Sequence, residues 1–155
     1  MTETTLDPLA AIMLVMEESF DPKWGEAWNR RQVAASLDMP STAIALIAAD
    51  GSPPETSADT AGFAMTRAAP GEEELLLIAV RPNLRKTGLG ARLMDALFES
   101  AKERGSERIL LEMRENNPAA SFYRSAGFEP IGSRKAYYKL SDGSRLDAIT
   151  FAKAL

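Results

Sequence analysis

The 155-residue sequence predicts one α/β (α+β) domain, in the order helix, helix, three strands, helix, strand, helix, two strands. Three observations lead there. The length suits one domain around one core. The run "EELLLIAV" is apolar on both faces, as a central buried strand must be. The C-terminal stretch reads as two antiparallel strands around an "SDGS" turn. No internal repeat and no second domain interrupts this order, so residues 1–155 are read as a single domain.

The elements follow from local pattern. Leu9, Ile12, Met13, Met16 and Phe20 recur in steps of three and four, which predicts an amphipathic helix over 7–20 with Asp7 as cap and Pro8 as its first residue. The segment "DPKWGEAWNRRQVAASL" reads as a loop carrying Trp24 and then a second helix from Glu26 to Leu37. "STAIALIAAD" and "AGFAMTRA" are strand candidates, and "DGSPPETSADT" between them is a polar loop. The acidic run Glu72, Glu73 and Glu74 is expected to be a solvated turn. Leu89, Leu93, Met94, Leu97 and Ala101 form one side of a further helix, with Arg92, Asp95, Glu99 and Lys102 on the other and Gly105 at its end. "ERILLEM" is a strand. "NPAASFYRSAGF" is a short helix with Asn116 or Asn117 as cap and Gly127 as terminator. "EPIGSRKAYYKL" and "RLDAITFAKA" are the closing strands.

Composition removes several functions. The net charge of −4 and a pI near 5.0 argue against a chain that coats nucleic acid. With no Cys there is no disulfide, thiolate metal site or thiol nucleophile, and with no His there is no Ser-His-Asp triad or His-rich zinc site. A general base is then an Asp, Glu, Tyr, Lys, chain terminus or relayed water. The start "MTETTLDPLAAIM" lacks the features of a signal peptide, and no run reaches roughly 18 apolar residues. The expectation is a cytoplasmic protein that uses no metal and binds neither membrane nor nucleic acid.

The stretch "RKTGLG", Arg85 to Gly90, lies between a strand and a helix. First-turn helix amides lack intrahelical partners and the helix dipole is positive there, so such a turn holds anions. Gly88 and Gly90 keep side chains out of the way, and Arg85 and Lys86 add charge. Alone, the pattern is more often an ordinary corner than a cradle. It lacks the third glycine of a dinucleotide fingerprint, where this chain has Leu93, and the Lys-Ser/Thr of a Walker loop.

Two blocks around it give a more specific signal. Arg85, Gly88 and Gly90 fill the R/Q-x-x-G-x-G/A loop of the GNAT family of N-acetyltransferases. Asn116, Ala119, Phe122, Tyr123, Gly127 and Phe128 fill its second block. The chain resembles that family over residues 74–130. It is similar in particular to the bacterial ribosomal-protein-alanine N-acetyltransferases, through "LEMR" (111–114), Tyr137, Tyr138 and "SDGSRLDAITF", which extends the resemblance to residue 151. The resemblance implies a mixed, mostly antiparallel sheet with helices on both faces and a splayed strand pair that holds the pantetheine arm. It implies acetyl-coenzyme A (acetyl-CoA) as cofactor, with its pyrophosphate on the amides of Arg85, Lys86, Thr87, Gly88, Leu89, Gly90 and Ala91. Asn116 would meet the amide arm, and backbone N–H groups of Ile78, Ala79 and Val80 would polarise the carbonyl.

Acetyl transfer needs a base, an acid and alignment. Alternation sets Ile109 and Leu111 on one strand face and Leu110 and Glu112 on the other, so Glu112 is either a solvent-facing glutamate at a strand end or a carboxylate partly buried beside Leu110. The resemblance makes it the base. Tyr123 is either a core aromatic beside Phe122 and Phe128 or, as the resemblance implies, the acid for the leaving thiolate and a cofactor contact. One departure stands out. Glu112 to Asn116 is one residue shorter than in the ribosomal-protein enzymes, so Asn117, Glu115 or a water are alternatives for these roles. Tyr137, Tyr138, Trp24 and Trp28 are candidate acceptor-site residues, with packing as the other reading and the favoured one for the two tryptophans. The expected acceptor is a protein N-terminus, with a small amine or lysine as alternative, and a non-catalytic acyl-CoA sensor as the reading from another class. Monomer and homodimer both remain open.

Overall fold

Asp7 accepts a hydrogen bond from the Leu9 amide (3.2 Å) and Pro8 follows it, so α1 (Pro8–Ser19) begins where cap and proline place it. The computed structural model describes residues 5–20 and 27–155. α2 (Arg30–Leu37) begins later than expected. Asn29 and Gln32 form a reciprocal capping box, each side chain accepting from the other's amide at 2.8 Å, which fixes the start at Arg30. Glu26 and Trp24 lie outside the described residues.

The strands are β1 (Thr42–Ala48), β2 (Thr60–Ala69), β3 (Glu72–Val80), β4 (Arg108–Arg114), β5 (Glu129–Lys139) and β6 (Arg145–Ala154). α3 (Leu89–Glu103) joins β3 to β4 after a 3-10 turn at Pro82–Leu84, and α4 (Ala120–Ser125) joins β4 to β5. They make one sheet in the order β1-β2-β3-β4-β6-β5, parallel at β3/β4 and antiparallel at every other pairing. This is the mixed, mostly antiparallel sheet expected, with helices on both faces. Phe63, Met65, Leu77 and Ala79 pack on Ile12, Val15 and Met16 of α1 and Val33 of α2. Ala64, Leu75, Ile109, Leu111 and Met113 pack on the opposite side, against Met94, Leu97 and Ala101 of α3 and on Phe128 and Phe151.

β3 is the strand that departs from regular geometry. Met65 pairs with Leu77 but Thr66 pairs with Leu75, so Leu76 is an inserted residue and the strand bulges there. The bulge explains why Leu75 faces α3 while Leu77 and Ala79 face α1. β3 and β4 are paired only at Glu72–Arg108, Glu73–Ile109 and Glu74–Leu110. Beyond this, residues 75–80 of β3 are paired to β2 alone, and residues 111–114 of β4 to β6 alone. The two strands diverge into an open seam in the middle of the sheet.

The closed end of the seam is clamped by Glu73. The expected solvated turn at 72–74 is instead the start of β3, and Glu73 is 0% exposed. Arg104, just past α3, grips its carboxylate with two hydrogen bonds of 2.8 Å, while Thr66 and Ser106 donate at 2.9 and 3.0 Å. The expectation failed because a glutamate buries readily once a bidentate guanidinium and two hydroxyls satisfy it.

Burial by itself would push the Glu73 carboxyl up; the bonds from Arg104, Thr66 and Ser106 outweigh it and hold the group below its ordinary range. With the folded value depressed, the stabilisation is fully present above the unfolded-chain value and is lost as pH falls through the folded one. In urea unfolding, Glu73→Gln is expected to cost about 3 kcal/mol at neutral pH. Its midpoint should also fall less than that of the parent protein on acidification to about pH 3. Equal acid sensitivity in the two proteins would contradict this role for Glu73.

Candidate active site

The open end of the seam meets the glycine loop. Val80 ends β3, and the chain turns through Pro82–Leu84 into α3, whose cap is Gly88 with φ 88°. That left-handed geometry suits glycine, and a Cβ built there would meet nothing within 4 Å, so the amides face an open space. No amide from residue 86 to residue 91 donates to a backbone or side-chain acceptor among the described residues, whereas Arg92 N–H already bonds Gly88 O at 3.1 Å. Gly90 has a second reason to be glycine. A Cβ there would come within 3.2 Å of Phe122, so its smallness lets α4 pack against the start of α3.

The loop's cations differ in role. Arg85 donates to Val80 O (3.2 Å) and to Ser19 O (2.9 Å), bracing the loop against β3 and the end of α1. Lys86 is exposed and itself left-handed, φ 64°. Thr87 Oγ1 donates back to Leu84 O at 2.6 Å. The Leu89 side chain is buried with Val80, Leu93 and Ile47, so only its backbone faces the open space. Ile78, Ala79 and Val80 lie on the unpaired stretch of β3.

Glu112 stands on β4 two residues beyond the last β3 pairing, on the face opposite Leu111 and Met113. Its side chain is 20% exposed. Thr150 Oγ1, from its cross-strand partner, lies 3.4 Å from Oε2, and Arg134 Nε of β5 lies 3.2 Å from the same oxygen. Tyr123, half-buried on α4, packs edge-on to Phe128 and beside Phe122 against the core that Leu111 and Met113 enter. The two residues therefore flank β4 from opposite faces of the sheet.

The short link after Glu112 is accommodated locally. Glu115 exchanges two bonds of 2.9 Å with Asp147, through its own amide and through Oε1, and so extends the β4/β6 ladder. Neither asparagine caps α4, whose cap position is Ala119 without a side-chain bond, because the chain first makes a turn in which Asn117 Oδ1 accepts from the Ala119 amide at 2.9 Å; Asn116 Oδ1 accepts from Arg114 Nη1 at 2.7 Å. Tyr137 and Tyr138 stack edge-on at 5.3 Å; Tyr137 is 50% exposed and carries the Arg134 guanidinium 5.0 Å over its ring. Trp28 is half-buried against the α1 core, in keeping with packing.

Arg134 was not singled out by the sequence. Between Arg134 and Tyr138 the register with β6 slips, Ala136 is left-handed (φ 54°), and its amide bonds Asp147 Oδ1 at 2.8 Å. An alanine gives no sign of such a bulge, and regular alternation misplaces everything around it.

A family model described as the acetyltransferase (GNAT) family matches residues 11–128. The ribosomal protein bS18-alanine N-acetyltransferase of Escherichia coli (strain K12) is 40% identical over 93 residues, covering 59% of this chain and 62% of that protein. The aligned stretch is thus less than two thirds of that relative's length. The crystal structure of the ribosomal-protein-S18-alanine N-acetyltransferase from Escherichia coli superposes with a TM-score of 0.75 at 27% identity, covering 97% of this chain and 90% of that one. An acetyltransferase from Bacillus anthracis, solved in complex with acetyl coenzyme A, superposes with a TM-score of 0.64 at 26% identity, covering 77% and 65% of the two chains.

Proposed function

Because this chain belongs to the acetyltransferase (GNAT) family, we propose that it moves the acetyl group of acetyl-CoA to a primary amine, the N-terminal α-amino group of a protein, and of a ribosomal protein in particular. The open seam between β3 and β4 is the observation that carries this reading. Unpaired backbone inside a sheet is costly, and an extended, amide-bearing ligand arm satisfies it as an added strand would. Such an acceptor puts the enzyme in the cytoplasm; no described helix is long and apolar enough to cross a membrane.

The residues present fit the cofactor. The amides of residues 86–91 and the α3 dipole suit a pyrophosphate, with Lys86 adding full charge and Arg85 bracing the loop from behind. Asn116, its oxygen held by Arg114, keeps its NH2 for an amide carbonyl of the arm. When bound, acetyl-CoA supplies an activated acetyl thioester. Strand N–H groups alternate between edges: Arg81 N–H meets Ala61 O of the β2 side, so Ala79 turns the same way and the N–H groups of Ile78 and Val80, facing the seam, would polarise the thioester carbonyl. Glu112 takes the proton of the incoming amine on one face of β4, and Tyr123 gives one to the departing sulfur on the other. An α-amino group, with a pKa of about 7.7–8.0, needs far less help than a lysine at about 10.4. Tyr137 and Tyr138 wall the acceptor side, and Trp24 is proposed to join them.

Two experiments test this reading. With acetyl-CoA and an alanine-initiated peptide, thiol release should depend on the peptide, and mass spectrometry should place the acetyl group on the α-amine. Preference for a lysine or a small amine would reassign the acceptor, and cofactor binding without acceptor-dependent release would leave a sensor. Tyr123→Phe and Glu112→Gln should each lower kcat by about 100-fold or more, and full turnover in either would remove that residue from the chemistry.

The second experiment compares two glycines. Gly88 and Gly105 both have φ 88° with nothing within 4 Å of a built Cβ. Alanine at either should cost about 1 kcal/mol of stability. Calorimetry should find coenzyme A binding weakened about tenfold in Gly88→Ala alone, because only there does the methyl stand before the loop amides. Equal affinity in the two variants would move the pyrophosphate off this loop.

A further inference from the structure

Glu112 meets a cation before any acceptor arrives. Arg134 Nε lies 3.2 Å from Oε2, the same oxygen that Thr150 approaches, and Arg134 is 62% exposed. A cation so exposed swings away with little desolvation cost. Its guanidinium also rests over the Tyr137 ring at 5.0 Å. Residues three apart in a regular strand point to opposite faces. Tyr137 reaches the side of Arg134 because β5 bulges between Arg134 and Tyr138. That bulge is tied down from β6: Asp147 accepts from the Ala136 amide at 2.8 Å, and Arg145 Nη1 donates to Ala136 O at 3.2 Å. The distortion aims a cation and an aromatic shelf together at the carboxylate.

We propose that Arg134 is the resting counter-ion of Glu112 and a gate of the acceptor site, giving up the carboxylate while it keeps its seat over Tyr137 when the acceptor's ammonium arrives. The inference rests on the reading of Glu112 as the acceptor-side base. Guanidinium and ammonium compete for one oxygen, so acceptor binding includes the loss of the resident pair. An exposed ion pair of this kind is worth a factor of about 1.5 to 5 in an equilibrium constant. Arg134 acts through Glu112 and is a positioning residue.

The test is calorimetric titration of an alanine-initiated peptide into the full-length protein saturated with coenzyme A, which cannot turn over. Arg134→Gln should bind the peptide about 1.5 to 5 times more tightly. Arg134→Lys, which keeps the cation, should bind as the parent does, and an N-acetylated peptide should show no gain. In a Glu112→Gln background, adding Arg134→Gln should change nothing, since the competition has gone. Unchanged or weaker binding in Arg134→Gln, or the same gain without Glu112, overturns the gate. Equal affinity of Arg134→Gln and the Arg134→Gln, Glu112→Gln double variant instead overturns Glu112 as the amine's partner. A peptide that binds no variant removes both.

Discussion

The backbone between β3 and β4 is the constraint around which the molecule is arranged. Two neighbouring strands pair at Glu72–Glu74 and then part, leaving the inner edges of residues 75–80 and 111–114 without a strand partner. A sheet interior tolerates this only if other contacts hold the edges rigid and something else meets their polar groups. The structure supplies the rigidity at both ends. At the closed end, Glu73 is locked by Arg104, Thr66 and Ser106, which joins β3 to the end of α3. At the open end, Arg85 ties the loop to Val80 and to the end of α1, and Arg81 pairs with Glu18. The bulge at Leu76 lets β3 stay paired to β2 while it leaves β4.

In the proposed function the seam divides the chemistry between two faces. On the α3/α4 face lie the outward amides of the glycine loop and Tyr123, brought close because Gly90 admits Phe122. On the other lie Glu112, Thr150, Arg134 and Tyr137. A thioester threaded through the seam would present its carbonyl between them. This division also reconciles an acidic chain with a polyanionic cofactor. In the proposed reading the anion would meet backbone amides and a helix terminus, which attract it whatever the chain's net charge of −4.

Much of this was legible in the residues. Asp7-Pro8, the Leu89–Ala101 stripe, Gly105 and Gly127 marked helix ends and faces by local chemistry, and simple alternation put Glu112 on its correct face. The strand order and the seam came from resemblance alone, because pairing between β3 and β4 leaves no periodic trace. The capping box at Asn29 and Gln32 is visible as an N-x-x-Q spacing, which starting the helix at Glu26 left unused. Glu73 misled because its partner Arg104 is 31 residues away, and three consecutive glutamates look solvated until that partner is placed. Arg134 stayed hidden because the bulge at Ala136 shifts every side chain near it by a face, and no glycine or asparagine advertises the turn.

The most direct test of the central claim is amide hydrogen exchange with and without coenzyme A. The account predicts that saturation slows exchange at residues 75–80 and 86–91 together, by about tenfold or more at the slowed amides. Residues 62–67 of β2, already paired on both edges, should change little. Protection confined to the loop, with residues 75–80 exchanging as before, would contradict the seam as the binding slot.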